Sequence, residues 1–419
     1  MPINKINLIH PVKNAFALQT AKAFQEKGML NKLFTTYFYS ESLFLKLLRK
    51  AAPSIYLKIN NELKRRDWQI DASYIISKPW IEYKRIFLLK TGWYKKLGQT
   101  SDQLNTKMYD DFDKIAATAE WGNVDAVYAY EDCALQSFIR AKKEGIYCLY
   151  DLPIVHYKTA KEILGREVEL FPEFRPCLAT VNEPQWKIEK KLKELALADL
   201  IFVPSNFVKQ SITAIGIPDE KISINAFGAP VEYFKPLPKK DTLFRAIFVG
   251  GIGPRKGVHY LIQAWKELNL QDAELLLVGV DLFPQGWLSA HIGDTPSIRF
   301  VPSVPHHQLN EYYSSADVFV FPSLAEGLAL VQLEALSCGL PVITTPNAGA
   351  DTIIQDGYNG FMLPIRDIEA LKNKIEYVYA NPEILKEMKV HARDTAEQFT
   401  WNRYRNQVIQ DILTYSKDK

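Results

Sequence analysis

"DVFVFPSLAEGLALVQLEALSCGLPVITT" (residues 317–345) holds two kinds of segment in one stretch. Asp317 to Phe321 is a short apolar run closed by Pro322 and Ser323, which reads as a buried strand. Gly327 opens an apolar segment that reads as a helix to about Cys338, where Gly339 and Pro341 stop it. Pro341 to Thr345 reads as a second buried strand. Strand, helix and strand in succession belong to an α/β domain around a parallel sheet.

The same alternation runs outward. FRAIFVGG (244–251), AELLLVG (273–279) and IRFV (298–301) are further apolar runs with helical segments between them. The first half repeats the scheme with INLI (6–9), DAVYAY (125–130), IYCLYDLP (146–153) and ADLIFVPS (198–205). Asn14 to Lys27 has helical periodicity, with Gly28 as its stop. Between the halves, GAPVEYFKPLPKKD (228–241) loses periodicity and gathers prolines, as linkers do. The expectation is two Rossmann-like parallel-sheet domains, residues 1–235 and 236–397, facing across a cleft. An amphipathic helical tail (398–419) follows, and Trp401, Val408, Ile409 and Ile412 are its docking residues. In such open sheets, ligands sit outside the carboxyl ends of the strands.

Composition limits the function classes. The chain of 419 residues has 47% hydrophobic and 24% charged residues, an ordinary globular balance. A net charge of +3 gives no reason to expect a nucleic-acid partner. The four cysteines (Cys133, Cys148, Cys177, Cys338) are scattered without metal or redox spacing, which fits a reducing compartment. No window is apolar for the ~18 residues a membrane span needs, and the apolar start before His10 is short for a signal peptide. A cytoplasmic protein is expected.

Glu326 and Glu334 flank the amino end of the helix in the opening stretch. The first N–H groups of a helix have no internal partner and carry the positive end of its dipole, so they suit an anion such as a diphosphate. Eight residues of helix span ~12 Å. That is comparable to the distance from a sugar to a ribose across a diphosphate. Carboxylates at the two ends would accept hydrogen bonds from hydroxyls on either side. The dipole alone also favours a glutamate at such a position, and Glu334 fits a solvated helix face equally well.

A second signal is VGGIGPRKG (249–257). A strand runs into Gly250, Gly251 and Gly253, then Arg255 and Lys256, then a helix. Glycines allow close approach to phosphate oxygens, and adjacent cations neutralise them. The spacing is neither that of a P-loop nor that of a dinucleotide fingerprint.

At this point a resemblance enters. EKKLKELALADLIFVPS, KISINAFGAPVEYFKP, VGGIGPRKG, LNEYYSSADVFVFPSLAEG, LEALSCGLPVITT and DGYNGF resemble, in order, segments of the retaining glycosyltransferases of family 4, which have the GT-B fold. The similarity covers most of residues 190–415. It implies roles: Glu326 on the donor sugar hydroxyls, Gly327, Leu328 and Ala329 presenting N–H groups to the phosphate, and Glu334 on the ribose. It further implies that Lys256 neutralises the departing diphosphate, that the backbone from Val301 to Val304 borders the base, and that the tail helix packs back on the N-terminal domain.

In that family a histidine of the N-terminal domain commonly faces the donor sugar, and His156, just past a strand end, is the candidate. The family often has arginine where Gly251 stands, and Arg255 is expected to supply some of that charge. The usual N-terminal glycine loop is replaced by His10-Pro11-Val12-Lys13-Asn14. No cofactor or metal is implied, only a nucleotide-diphosphate sugar as donor and a glycan, lipid-linked or small-molecule acceptor, in surface polysaccharide or glycoconjugate biosynthesis. Two other functions fit the same residues: a nucleotide-sugar-binding protein without transfer activity, and a GT-B nucleotide-sugar epimerase.

Three further features have plainer expectations. His306-His307 has no metal spacing and reads as a loop. Asp111-Phe112-Asp113 imitates a metal motif but lies in a helical run, so a solvated face is expected. Residues 41–100 hold 13 basic and 5 acidic residues, a local charge of +8. Large apolar residues interleave with the basic ones, which suits either a solvated helical face over a core or peripheral contact with the inner face of an anionic membrane.

Overall fold

A computed structural model describes residues 2–39, 43–64 and 66–417. It contains two parallel sheets. The first is built from β1 (Ile6–Ile9), β2 (Leu30–Thr35), β3 (Ile75–Ser77), β4 (Ala126–Tyr130), β5 (Tyr147–Asp151), β6 (Leu200–Val203) and β7 (Ile222–Ile224), in the order β3-β2-β1-β4-β5-β6-β7. The second is built from β8 (Phe244–Ile252), β9 (Ala273–Asp281), β10 (Ile298–Pro302), β11 (Val318–Phe321), β12 (Val342–Thr344) and β13 (Gly360–Met362), in the order β10-β9-β8-β11-β12-β13. Both have the doubly wound arrangement expected of Rossmann-like sheets.

By its contacts the chain falls into two compact units: Met1–Asp151 with Gln185–Phe202 and Arg405–Lys419, and Leu152–Pro184 with Val203–Tyr404. The inner strands β1, β4, β6, β11 and β12 are buried on both faces, as parallel strands covered by helices must be. Leu275, Leu276 and Leu277 of β9 and all four residues of β11 are fully inaccessible. This explains why these strands read as continuous apolar runs rather than alternating ones.

In the second sheet, β8 lies between β9 and β11. Chain order reverses on either side of the β8–β11 pair, so a crevice opens beyond their carboxyl ends. The two signals of the sequence sit there: the glycine loop leaves β8, and the Glu326 loop leaves β11. Gly250 and Gly279 pair in register, and a Cβ on Gly279 would lie 1.7 Å from the Gly250 carbonyl oxygen. Glycine at 279 is therefore what lets β8 and β9 close at this end.

The helix after β11 begins later than the sequence suggests. It spans Leu330–Ser337, with Ala329 as its N-cap, so Gly327 belongs to the preceding loop. The acidic run at 111–113 departs from expectation at Asp113, whereas Asp111 pairs with Lys107 on the solvated face. Asp113, on the helix Ser101–Thr118, is fully buried and accepts hydrogen bonds from the Gln136 and Ser137 N–H groups at 2.7 and 3.1 Å. It caps the helix Leu135–Lys143 rather than facing solvent, because the free N–H groups of that helix end need an acceptor.

Candidate nucleotide-sugar site

The loop Pro322–Glu326 is fastened before any ligand arrives. Thr345 Oγ1 donates to the Ser323 carbonyl at 2.5 Å, Asn347 Nδ2 to the Leu324 carbonyl at 2.9 Å, and the Glu326 N–H to the Asn347 carbonyl at 2.9 Å. The Leu324 N–H donates to the Arg255 carbonyl at 2.9 Å, which joins this loop to the glycine loop. Gly257 makes that approach possible. Its φ is +68°, and a Cβ there would sit 2.1 Å from the Pro322 carbonyl oxygen. Any other residue would push Arg255 and Lys256 off the end of β11.

Both cations converge on Glu326. Arg255 Nη1 donates to Glu326 Oε1 at 2.5 Å, Lys256 Nζ forms an ion pair with the same oxygen, and Ser323 Oγ lies 3.2 Å from it. Burial would raise the Glu326 carboxyl, but Lys256 and Arg255 outweigh it and hold the group below the ordinary carboxylate range. Glu326 is thus ionised, with Oε1 saturated. Among the described residues Oε2 takes no protein donor, which leaves it for hydroxyl groups.

The backbone beside Glu326 also has free capacity. Among the described residues the N–H groups of Gly327, Leu328, Leu330 and Val331 meet no protein acceptor. The Ala329 N–H does, donating to the Ala348 carbonyl at 3.3 Å. Of the three residues assigned to phosphate by resemblance, Gly327 and Leu328 thus keep their donors and Ala329 does not. Gly327 lacks a side chain for a reason other than ligand approach. A Cβ there would lie 1.9 Å from the Pro153 carbonyl oxygen, and Ser205 Oγ donates to the Gly327 carbonyl at 2.7 Å.

Glu334 is buried on the same helix and engaged at both oxygens. It lies 2.8 Å from His306 Nε2, and Tyr313 donates its hydroxyl at 3.0 Å. It lines a cavity of about 220 Å³ together with Gly250, Gly251, Ser303 and Val304. Gly253 is outside that lining and packs on Leu282, whose side chain would come within 2.6 Å of a Cβ at Gly251. Leu282 therefore lies where a side chain at 251 would begin, and the cations of this loop are Arg255 and Lys256.

His156 is fully buried, just before the helix Tyr157–Leu170. Its N–H donates to Ser211 Oγ at 3.0 Å, and its ring meets that of Tyr157 at 4.5 Å. It belongs to the second unit, along with Pro153 and Gly327, and not to the unit of β1 to β5. His306 was visible in the sequence, but a loop histidine gives no sign of its partner 28 positions away. It lies on a 3-10 turn, not an open loop. Tyr313, Ser323 and Leu282 carry no signal apart from the fold.

Among the described residues no helix is long and apolar enough to cross a membrane. Residues 231–395 match the family described as "Glycosyl transferases group 1". The chain is 35% identical over 244 residues to a D-inositol 3-phosphate glycosyltransferase of Geodermatophilus obscurus, a match covering 53% of this chain and 54% of that one. The chain spans about half the length of the curated relatives it matches.

Similar solved structures include sucrose-phosphate synthase from Thermosynechococcus elongatus, with a TM-score of 0.65, 18% identity and coverage of 97% and 98% of the two chains. The Anabaena HepE structure in complex with UDP-glucose follows at a TM-score of 0.61, 15% identity and 97% and 98% coverage. Residues 231–395 are a group 1 glycosyltransferase domain, and the chain that carries them has the GT-B fold.

Proposed function

We propose that the protein transfers a sugar from a nucleoside-diphosphate sugar to a glycan, lipid-linked or small-molecule acceptor, with retention of anomeric configuration. One observation carries this reading: Lys256 and Arg255 converge on one oxygen of Glu326, beside backbone donors that have no protein acceptor. Two cations against one carboxylate leave a net positive charge for the diphosphate. Donors fixed in advance stabilise a leaving group without reorganising as charge develops, which is usually the largest catalytic term. Glu326 Oε2 grips the sugar hydroxyls, and Glu334 grips the ribose in the cavity behind.

In the bond-breaking step the anomeric carbon–oxygen bond cleaves toward the diphosphate, and the acceptor hydroxyl adds to the same face. Its proton passes to the departing phosphate oxygen, so the scheme uses neither a protein nucleophile nor a metal. The HepE neighbour, whose solved complex contains UDP-glucose, makes UDP the first nucleotide to try. With a lipid-linked acceptor, the basic segment 41–100 brings the enzyme to a bilayer.

The test is transfer by the purified full chain from UDP-, GDP- and ADP-sugars. Glu326→Ala and Lys256→Ala are each expected to lower kcat by about 10²–10³. The anomeric proton coupling of the product reads the stereochemistry. Turnover that survives both substitutions, or an inverted product, contradicts the proposal.

A further inference from the structure

The helix Pro79–Thr91 is apolar on two faces; one is buried, and of the rings on the other Tyr83 meets the core, 5.8 Å from the Tyr37 ring. Ile81 and Leu88 are buried in the first unit, as is Glu82, which pairs with Arg66 and Arg85. Trp80, Tyr83 and Phe87, at positions i, i+3 and i+7, share the opposite side. They are 57%, 50% and 52% exposed. Gly92, at φ +67°, ends this helix and turns the chain into Trp93–Lys96. The turn brings Trp93, 52% exposed, within 5.8 Å of the Phe87 ring, and Leu97 follows at 63% exposed. A contiguous outward aromatic surface of this kind needs an occupant, whereas a single exposed apolar residue does not.

The charges around the surface select the occupant. Residues 72–101 contain six basic residues and one acidic residue. The acidic residue is Glu82, already buried and neutralised. Lys84, Lys90, Lys95 and Lys96 are exposed. Lys84 and Lys90 stand on the same side of the helix as the aromatics, at its edges. Lysine is depleted at protein–protein interfaces, and two copies of this surface would repel each other. Aromatic rings at a polar boundary, flanked by lysines, match the headgroup level of an anionic bilayer.

We propose that the outer side of the Pro79–Thr91 helix and the following turn through Leu97 form a docking surface for an anionic lipid bilayer. Trp80, Phe87 and Trp93 enter the headgroup–acyl boundary, and the lysines bind lipid phosphates. The inference deepens the bilayer contact proposed for the segment 41–100 and is tested without turnover, so its failure would leave the transferase reading standing.

The test is flotation of the full chain with vesicles of phosphatidylcholine containing phosphatidylglycerol, against phosphatidylcholine alone. Binding is expected only with the anionic lipid and is expected to weaken as salt rises. Trp80→Ala/Phe87→Ala/Trp93→Ala and, separately, Lys84→Glu/Lys90→Glu should each weaken partitioning by at least about tenfold. Their circular dichroism and thermal midpoint should be unchanged, because all five side chains are exposed. Failure to float with anionic vesicles at low salt overturns the proposal. So does binding that both variants retain, or self-association of the wild-type chain that the aromatic variant abolishes.

Discussion

A carboxylate taken out of water stays ionised only where cations or donors offset its lost hydration. Glu326 meets that condition through Arg255, Lys256 and Ser323, all on one oxygen. The two glutamates of the opening stretch were legible in the sequence as a pair, but their partners were not. Arg255 and Lys256 could be seen as neighbours in sequence, but that they converge on Glu326 depends on how β8 and β11 lie side by side. His306 was not legible as part of the site. Its hydrogen bond to Glu334 raises the imidazole above its ordinary value, against the opposing effect of burial.

The sign follows from linkage. The protonated pair is fully formed below the ordinary histidine value and is lost as pH rises through the raised one. In the proposed function, protonated His306 competes for the Glu334 oxygen that would otherwise accept from the ribose. The KM for the donor should therefore fall by about three- to tenfold between pH 6 and pH 8. In His306→Gln it should be flat over that range. Steady-state kinetics across pH check this, and an unchanged slope in the variant excludes His306 as its source.

At the level of elements, the buried strands were legible because a parallel strand covered on both faces must be apolar throughout. Helix ends were less so. The stretch Gly327–Ala329 reads as the start of the helix, but the loop it belongs to is held from outside, with the Glu326 N–H on the Asn347 carbonyl and the Ala329 N–H on the Ala348 carbonyl. No local pattern announces a partner some twenty positions away. Asp113 fails for the same reason. Its neighbours predict a solvated face, but its carboxylate holds the end of a helix 23 positions on.

Asp113→Ala leaves the Gln136 and Ser137 N–H groups and the Ser137 hydroxyl without an acceptor in a buried place. The expected cost is about 2–4 kcal/mol. It should appear as a lower midpoint in urea with an unchanged slope. A loss below about 0.5 kcal/mol would mean that water reaches this helix end.

At the level of the whole molecule, the order of the second sheet explains why residues from distant positions meet. In this sheet the strand order reverses at the β8–β11 pair, and the glycine loop and the Glu326 loop leave those two neighbouring strands. The alternation of strands and helices was enough to read parallel-sheet domains from the sequence, but not the order of their strands. The segments that follow each strand were harder to place, because loop sequences are set by what they touch rather than by a period.

The central claim is that the loop at Gly327 leading into the Leu330–Ser337 helix, the cations Arg255 and Lys256, and Glu334 together seat a nucleoside diphosphate. Isothermal titration of UDP, GDP and ADP into the purified chain tests it most directly. One of the three should bind with a Kd of micromolar order, and Glu334→Ala should weaken that binding by about tenfold or more. Absence of heat with all three nucleotides, or an affinity that Glu334→Ala leaves unchanged, would contradict the account.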